Sequence, residues 1–229
     1  MPTPPPPTVR GPKAVKMDAR VLLDAAQVVF ARDGLQGGSL RAIARQAGCD
    51  PSLIYYHFAN KEAMFAALLA DRLPPLVQKL RQLADPGDPR PTAEKLWAVL
   101  GVFHGQFHGS AGFRSMVRGE ITRGVPGIQE MLLEHLTPAK AAIHSILTEG
   151  LRLGHLRPGL SPVFLAFFLV RMEFEILDLV PAMAQPMHGL PPQEALPLAE
   201  QAWFDLFWRG IAAHPDAPLP PLPPFPECP

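Results

Sequence analysis

Two groups of side chains in this 229-residue chain have types and spacings that could do chemistry. The first lies between Ser39 and Lys61. Hydroxyls (Ser39, Ser52, Tyr55, Tyr56), an imidazole (His57) and cations (Arg41, Arg45, Lys61) crowd into one short stretch. Donors of these kinds suit phosphate oxygens and base edges. The second is the pair His104 and His108, spaced i, i+4 so that both fall on one helix face, where they could chelate a metal. No cysteine or clustered carboxylate joins them in sequence, and Glu120 is the nearest candidate, so no metal is expected. There is no Gly-rich phosphate loop, no nucleophile elbow and no paired-cysteine motif. No catalytic residue and no cofactor are therefore expected, and the chain reads as a binding protein and not an enzyme.

The elements that must position the first group are legible. Leu40, Ile43, Ala44 and Ala47 mark a short helix running into Gly48. Asp50 opens a second short helix that ends in Tyr55-Tyr56-His57-Phe58. Two short helices joined by a tight glycine turn make a helix-turn-helix, whose second helix is of a size to enter a DNA major groove. Ser39 and Asp50 are placed to cap the two helices, and Pro51 takes a first helical position, where its missing N–H costs nothing. Asn60 caps a further helix from Lys61, which Pro74-Pro75 should kink or end. Upstream, Val21, Leu22, Ala25, Val29 and Phe30 form one stripe over residues 16–33, closed by Gly34.

Charge agrees with a nucleic-acid partner at this end. The formal net charge is zero, but residues 1–61 hold 8 Lys/Arg against 4 Asp/Glu, a balance of +4, and the remainder holds 13 against 17, a balance of −4. Two cysteines, Cys49 and Cys228, exclude a disulfide framework and suit a reduced, cytoplasmic compartment. The N-terminal proline run lacks the apolar core of a signal peptide. The apolar stretch 163–180 is interrupted by Arg171, Glu173, Glu175 and Asp178, so no membrane partner is expected.

Residues 1–12 hold six of the 29 prolines and residues 215–229 hold eight. Residues 1–15 are expected to be a disordered Pro-rich arm, with basic residues Arg10, Lys13, Lys16 and Arg20 in or just after it. Residues 215–229 are expected to be a disordered Pro-rich tail. Between them every pattern is helical. Residues 85–91 (DPGDPRP) break the chain, and helices follow near 92–108, 112–122, 126–154, 161–184 and 193–213. The fold class is all-α with about nine helices. A DNA-binding domain over 16–62 precedes a helical effector-binding and dimerisation domain over 63–214.

Residues 22–69 resemble the N-terminal domain of the TetR family of transcriptional regulators. The resemblance is carried by Ala25-Ala26, Phe30, Gly34, Ser39, Ile43-Ala44, Ala47-Gly48, Tyr55, His57-Phe58 and Lys61, at the family's spacing without a gap. Cys49 and Asp50-Pro51 depart from the usual residues. The resemblance implies that the helix 50–58 enters the major groove, so Pro51, Ser52, Leu53, Tyr55, Tyr56 and His57 would meet DNA. Lys61 would hold a phosphate, as would Ser39, Arg41 and Arg45 beside it. Phe30, Ile43, Ala47 and Phe58 would form the small domain's core.

One helix-turn-helix reads half a site, so a second copy is needed to read two half-sites about 34–36 Å apart. Phe164, Phe167, Met172, Trp203 and Phe207, on the last two long helices, are expected to form the homodimer contact. Trp97, Phe103, His104, Phe107, His108, Phe113, Met116, Phe168 and Arg171 are expected to line an effector pocket. The whole reads as a ligand-responsive regulator, a repressor released from a palindromic operator in double-stranded DNA by a small hydrophobic effector. An activator of the same fold, or an interaction module acting through the PxxP tail, are the alternatives.

Overall fold

The computed structural model describes residues 18–216 together with 219, 222, 223 and 225. The expected arm 1–15, Arg10, Lys13, Lys16 and Cys228 lie outside the described residues. Ten helices run in the order α1 (Ala19–Gly37), α2 (Leu40–Ala47), α3 (Pro51–His57), α4 (Lys61–Arg72), α5 (Pro74–Leu83), α6 (Thr92–Phe107), α7 (Ala111–Arg123), α8 (Pro126–Arg152), α9 (Pro162–His188) and α10 (Pro192–Ile211). The all-α class is as expected. The tenth helix arises where one had been expected from Lys61 onward: α4 ends at Leu73, and Pro74, with no N–H to donate, starts α5. The expected helix over 161–184 continues through Pro181 and Pro186 until Gly189 stops it in the left-handed conformation (φ 65°). The only β pairing among the described residues is one isolated bridge, Leu156 to Ala212.

The first three helices form where their caps dictate. Asp18 accepts the Arg20 amide at 3.0 Å, Ser39 Oγ the Ala42 amide at 3.1 Å, and Asp50 the Ser52 amide at 2.8 Å. Each satisfies an amide that the helix itself leaves without a partner. Gly48 turns α2 into α3 at φ 66°. Phe30 of α1, fully buried, meets Phe65 of α4 edge-to-face at 5.9 Å, and Ile43 and Ile54 bury one face each of α2 and α3 against the same core. Ala47 and Phe58 pack on that core only in part. Arg20 and Arg72 further tie α1 to α4 through Asp71 and Asp24.

In the second half α6 is the central helix, packed by α5, α7, α8 and α9. It buries apolar residues around most of its circumference, among them Leu96, Trp97, Val99, Leu100, Phe103 and Phe107, as a helix inside a bundle must. Arg114 of α7 is buried and clasps the end of α6, donating to the carbonyls of Phe107 and His108 while its Nε reaches Asp178 of α9 at 2.7 Å. Arg118 adds a second bond to Asp178. The two halves meet where α7 packs on α1.

Candidate nucleic-acid interface and regulatory domain

On α3 only Ile54 is buried; Pro51 and Leu53 are half-buried and Ser52, Tyr55, Tyr56 and His57 are exposed. Ser52, Tyr55 and Tyr56 follow i, i+3, i+4 and so define one outward face, with Tyr56 83% exposed. An exposed tyrosine pair gains nothing from water contact, and the folded chain leaves it unburied. His57 stands edge-on to Tyr56 at 5.1 Å. Arg41 and Arg45, i and i+4 on α2, are exposed beside Ser39. Lys61, at the start of α4, donates to the Gln36 carbonyl at the end of α1 (2.9 Å), which fixes where its charge sits. Ser52 also belongs to the α3 cap. Its amide donates to Asp50 at 2.8 Å, and Ser52 beside it holds that carboxyl below its usual range. Cys49 is half-buried, and burial pushes its thiol up, which leaves a small hydrophobe and not a reactive thiolate.

The residues expected to line an effector pocket divide. Trp97, Phe103, His104, Phe107, Phe113 and Met116, on α6 and α7, are all buried. Three of them form a stack, Phe103 to Phe107 at 5.9 Å and Phe107 to Phe113 at 5.8 Å, while the Trp97 ring lies against Phe204 of α10 at 5.2 Å. His108 stacks on His104 at 4.7 Å but is itself exposed. Phe168 and Arg171 do not join them. They lie on the outer face of α9, where Arg171 pairs with Glu175 at 2.6 Å. The spacing of an apolar helix alone does not say which of its two faces is inward. Nor does Glu120 join the histidines: it is fully buried at the α1–α7 contact.

Two features escaped the sequence reading. The first is the occupant of the aromatic cluster's open side. The Phe225 ring stacks on Trp97 at 4.2 Å and lies 5.2 Å from the His104 ring, and Trp97 Nε1 donates to the Pro223 carbonyl at 2.8 Å. At these residues the segment expected to be a free tail is seated on the core, with Leu219, Leu222 and Phe225 partly buried and Phe225 against α6. The second is Glu200 of α10, fully buried and bonded to His104 Nδ1 at 2.5 Å. Its place one turn from Leu196 and Phe204 on the buried stripe of α10 was the available signal. The apolar surface expected on α9 and α10 is exposed, though its members differ in part from those expected. Phe164, Phe167 and Met172 are exposed as a dimer contact requires, and so are Phe168, Leu179, Leu198 and Leu206. Phe207, expected in that contact, is buried within the chain, with the half-buried Trp203 beside it at 5.3 Å.

An all-α chain with a capped helix-turn-helix on a larger helical domain is the architecture of a one-component transcriptional regulator. Residues 22–68 match the family model described as bacterial regulatory proteins, tetR family. The chain is 25% identical over 140 residues to the fatty acid metabolism regulator protein of Bacillus subtilis (strain 168), covering 61% of this chain and 71% of that one. It is 40% identical over 76 residues to the HTH-type transcriptional repressor KstR2 of Rhodococcus jostii (strain RHA1), covering 33% of this chain and 37% of that one. The fold matches the crystal structure of the transcriptional regulator FadR from Bacillus subtilis in complex with stearoyl-CoA. The TM-score is 0.68 at 21% identity, with 85% of this chain and all of that one covered. The likeness to the TetR family of transcriptional regulators thus rests on the N-terminal helix-turn-helix domain, and the rest of the chain shares the fold of the structural neighbour.

Proposed function

We propose that this protein is a homodimeric repressor that binds a palindromic operator and is released by a small hydrophobic effector. The observation that carries the DNA half is the outward face of α3, where Tyr55, Tyr56 and His57 stand exposed while Ile54 alone is buried. Tyr56 and Leu53 are placed to meet base edges and thymine methyls; Tyr55, His57, Ser39, Arg41, Arg45 and Lys61 grip phosphates and set the register. Two copies joined across the α9–α10 surface through Phe164, Phe167 and Met172 bring two such faces to one operator.

The effector acts at the buried aromatic cluster of α6 and α7. A fatty acid regulator among the relatives, and a structural neighbour described with stearoyl-CoA, support a long apolar effector. The mechanical link is short. The end of α6 is held by Arg114 of α7, and α7 carries Glu120, which holds the end of α1. An effector that prefers a shifted α6–α7 pair biases α1 and, through it, the helix-turn-helix, which is a population shift between two states. Footprinting on the DNA upstream of the protein's own gene tests the reading. Two protected half-sites about one helical turn apart are expected. Protection without sequence preference would refute it.

A further inference from the structure

Three buried ionisable groups meet where α6, α9 and α10 come together. His104, Glu173 and Glu200 are all buried, and both glutamates have no exposure at all. One ligand atom from each lies within 4.8 Å of the other two. His104 Nδ1 bonds one oxygen of Glu200, while the second oxygen of Glu200 and both oxygens of Glu173 meet no hydrogen-bond donor. Burial and the neighbouring Glu200 push the Glu173 carboxyl up to about 9, so without a cation it keeps its proton. Two carboxyls removed from water beside one imidazole form an undersupplied site, because buried carboxylates stay charged only when paired or when they coordinate a metal. The cation nearest in effect, Arg114, spends its guanidinium on Asp178 and on the carbonyls of Phe107, His108 and Leu177.

We infer that His104, Glu173 and Glu200 form a binding site for a divalent first-row transition metal ion, zinc being the type case. One imidazole nitrogen and two carboxylate oxygens from three different helices are a ligand set that zinc accepts, at bond lengths of about 2.0–2.2 Å. The ligands need only draw together and open the His104–Glu200 contact, since their helices already bring them to one point. Calcium and magnesium favour six or more oxygen ligands and are poorly served by an imidazole. The positions are inward by construction. Glu173 lies one turn after Leu169 and one before Leu177 on the buried face of α9, and His104 one turn after Leu100 on α6. Phe225 covers one side of His104 and keeps the site from bulk water. The site stands on these three residues and does not rest on the effector reading. Its probe is the metal ion alone, without DNA or acyl compound.

The test is equilibrium dialysis of the chelator-treated full-length protein against zinc ion, with the retained metal measured by mass spectrometry. Cobalt(II) serves as a visible-absorption reporter of the coordination sphere. One ion per chain is expected, with a raised midpoint of thermal unfolding that EDTA reverses. Glu173→Gln, which preserves shape and removes the charge, should weaken binding at least tenfold and abolish the cobalt spectrum. Glu200→Gln is a second variant with the same expectation, and circular dichroism checks that both fold. No zinc uptake by the wild-type chain would overturn the proposal, and His104 and the two glutamates would then share protons among themselves. Equal uptake by wild type and by folded Glu173→Gln would overturn it too, assigning the ion to surface histidines.

Discussion

The Leu35 amide donates to Glu120 Oε1 at 2.9 Å, a fully buried bond between the last turn of α1 and the last turn of α7. It joins the DNA-reading half to the regulatory half. Arg123 completes it: its guanidinium pairs with Glu120 and packs so closely on Gly34 that a Cβ there would stand 2.8 Å away. Gly34 at φ 69° is required by its backbone conformation, which side-chain-bearing residues rarely adopt. Glu120→Leu leaves the Leu35 amide buried with no acceptor and should cost about 1–3 kcal/mol. Urea unfolding of wild type and variant measures this; an unchanged midpoint would mean that the junction is not held here.

The DNA face makes a separable prediction. Tyr56 is exposed and touches only His57 in a ring contact, so Tyr56→Ala should change stability by less than about 0.5 kcal/mol. The same change should weaken operator binding. Lys61→Met should weaken binding to all sequences alike and reduce the slope of log affinity against log salt by about 1. Titrations at several salt concentrations distinguish the two kinds of loss.

Much of this face was legible from sequence, and the reasons are local. Ser39, Gly48, Asp50, Pro51 and Asn60 are caps and a turn, and each acts within three residues of itself. What escaped depended on contacts distant in the chain. Glu200 meets His104 across 96 residues and Glu120 meets Leu35 across 85. Phe168 and Arg171 were misplaced because α9 is apolar on both faces, so periodicity could not assign the inner one. Phe225 was read as part of a free segment because its prolines suggest extension, and extension does not prevent docking.

The dimer surface can be broken without touching the core. Phe164 and Phe167 are 63% and 59% exposed, so the double change to Glu should leave a folded monomer. Light scattering coupled to gel filtration should report half the wild-type mass. Operator affinity should fall with it, since each monomer reads one half-site. A double variant that stays dimeric would move the interface elsewhere.

The docked C-terminal segment should shield Trp97. A chain ending at Asp216 loses the Phe225 stack and the Pro223 acceptor, leaving the indole N–H and one side of His104 open. Red-shifted tryptophan emission and increased binding of an apolar dye are expected. Unchanged emission would mean that the segment does not cover this face.

The central claim, that an apolar effector at the α6–α7 cluster releases a DNA grip made by α3, comes down to one titration. Labelled DNA from upstream of the protein's own gene is bound to saturation, and stearoyl-CoA is added while anisotropy is followed. The account predicts sequence-specific, salt-dependent binding that the acyl compound reverses, with reversal diminished when Phe103 and Phe107 are changed to Ala. DNA binding without sequence preference, or specific binding that no long-chain acyl compound disturbs, would contradict it.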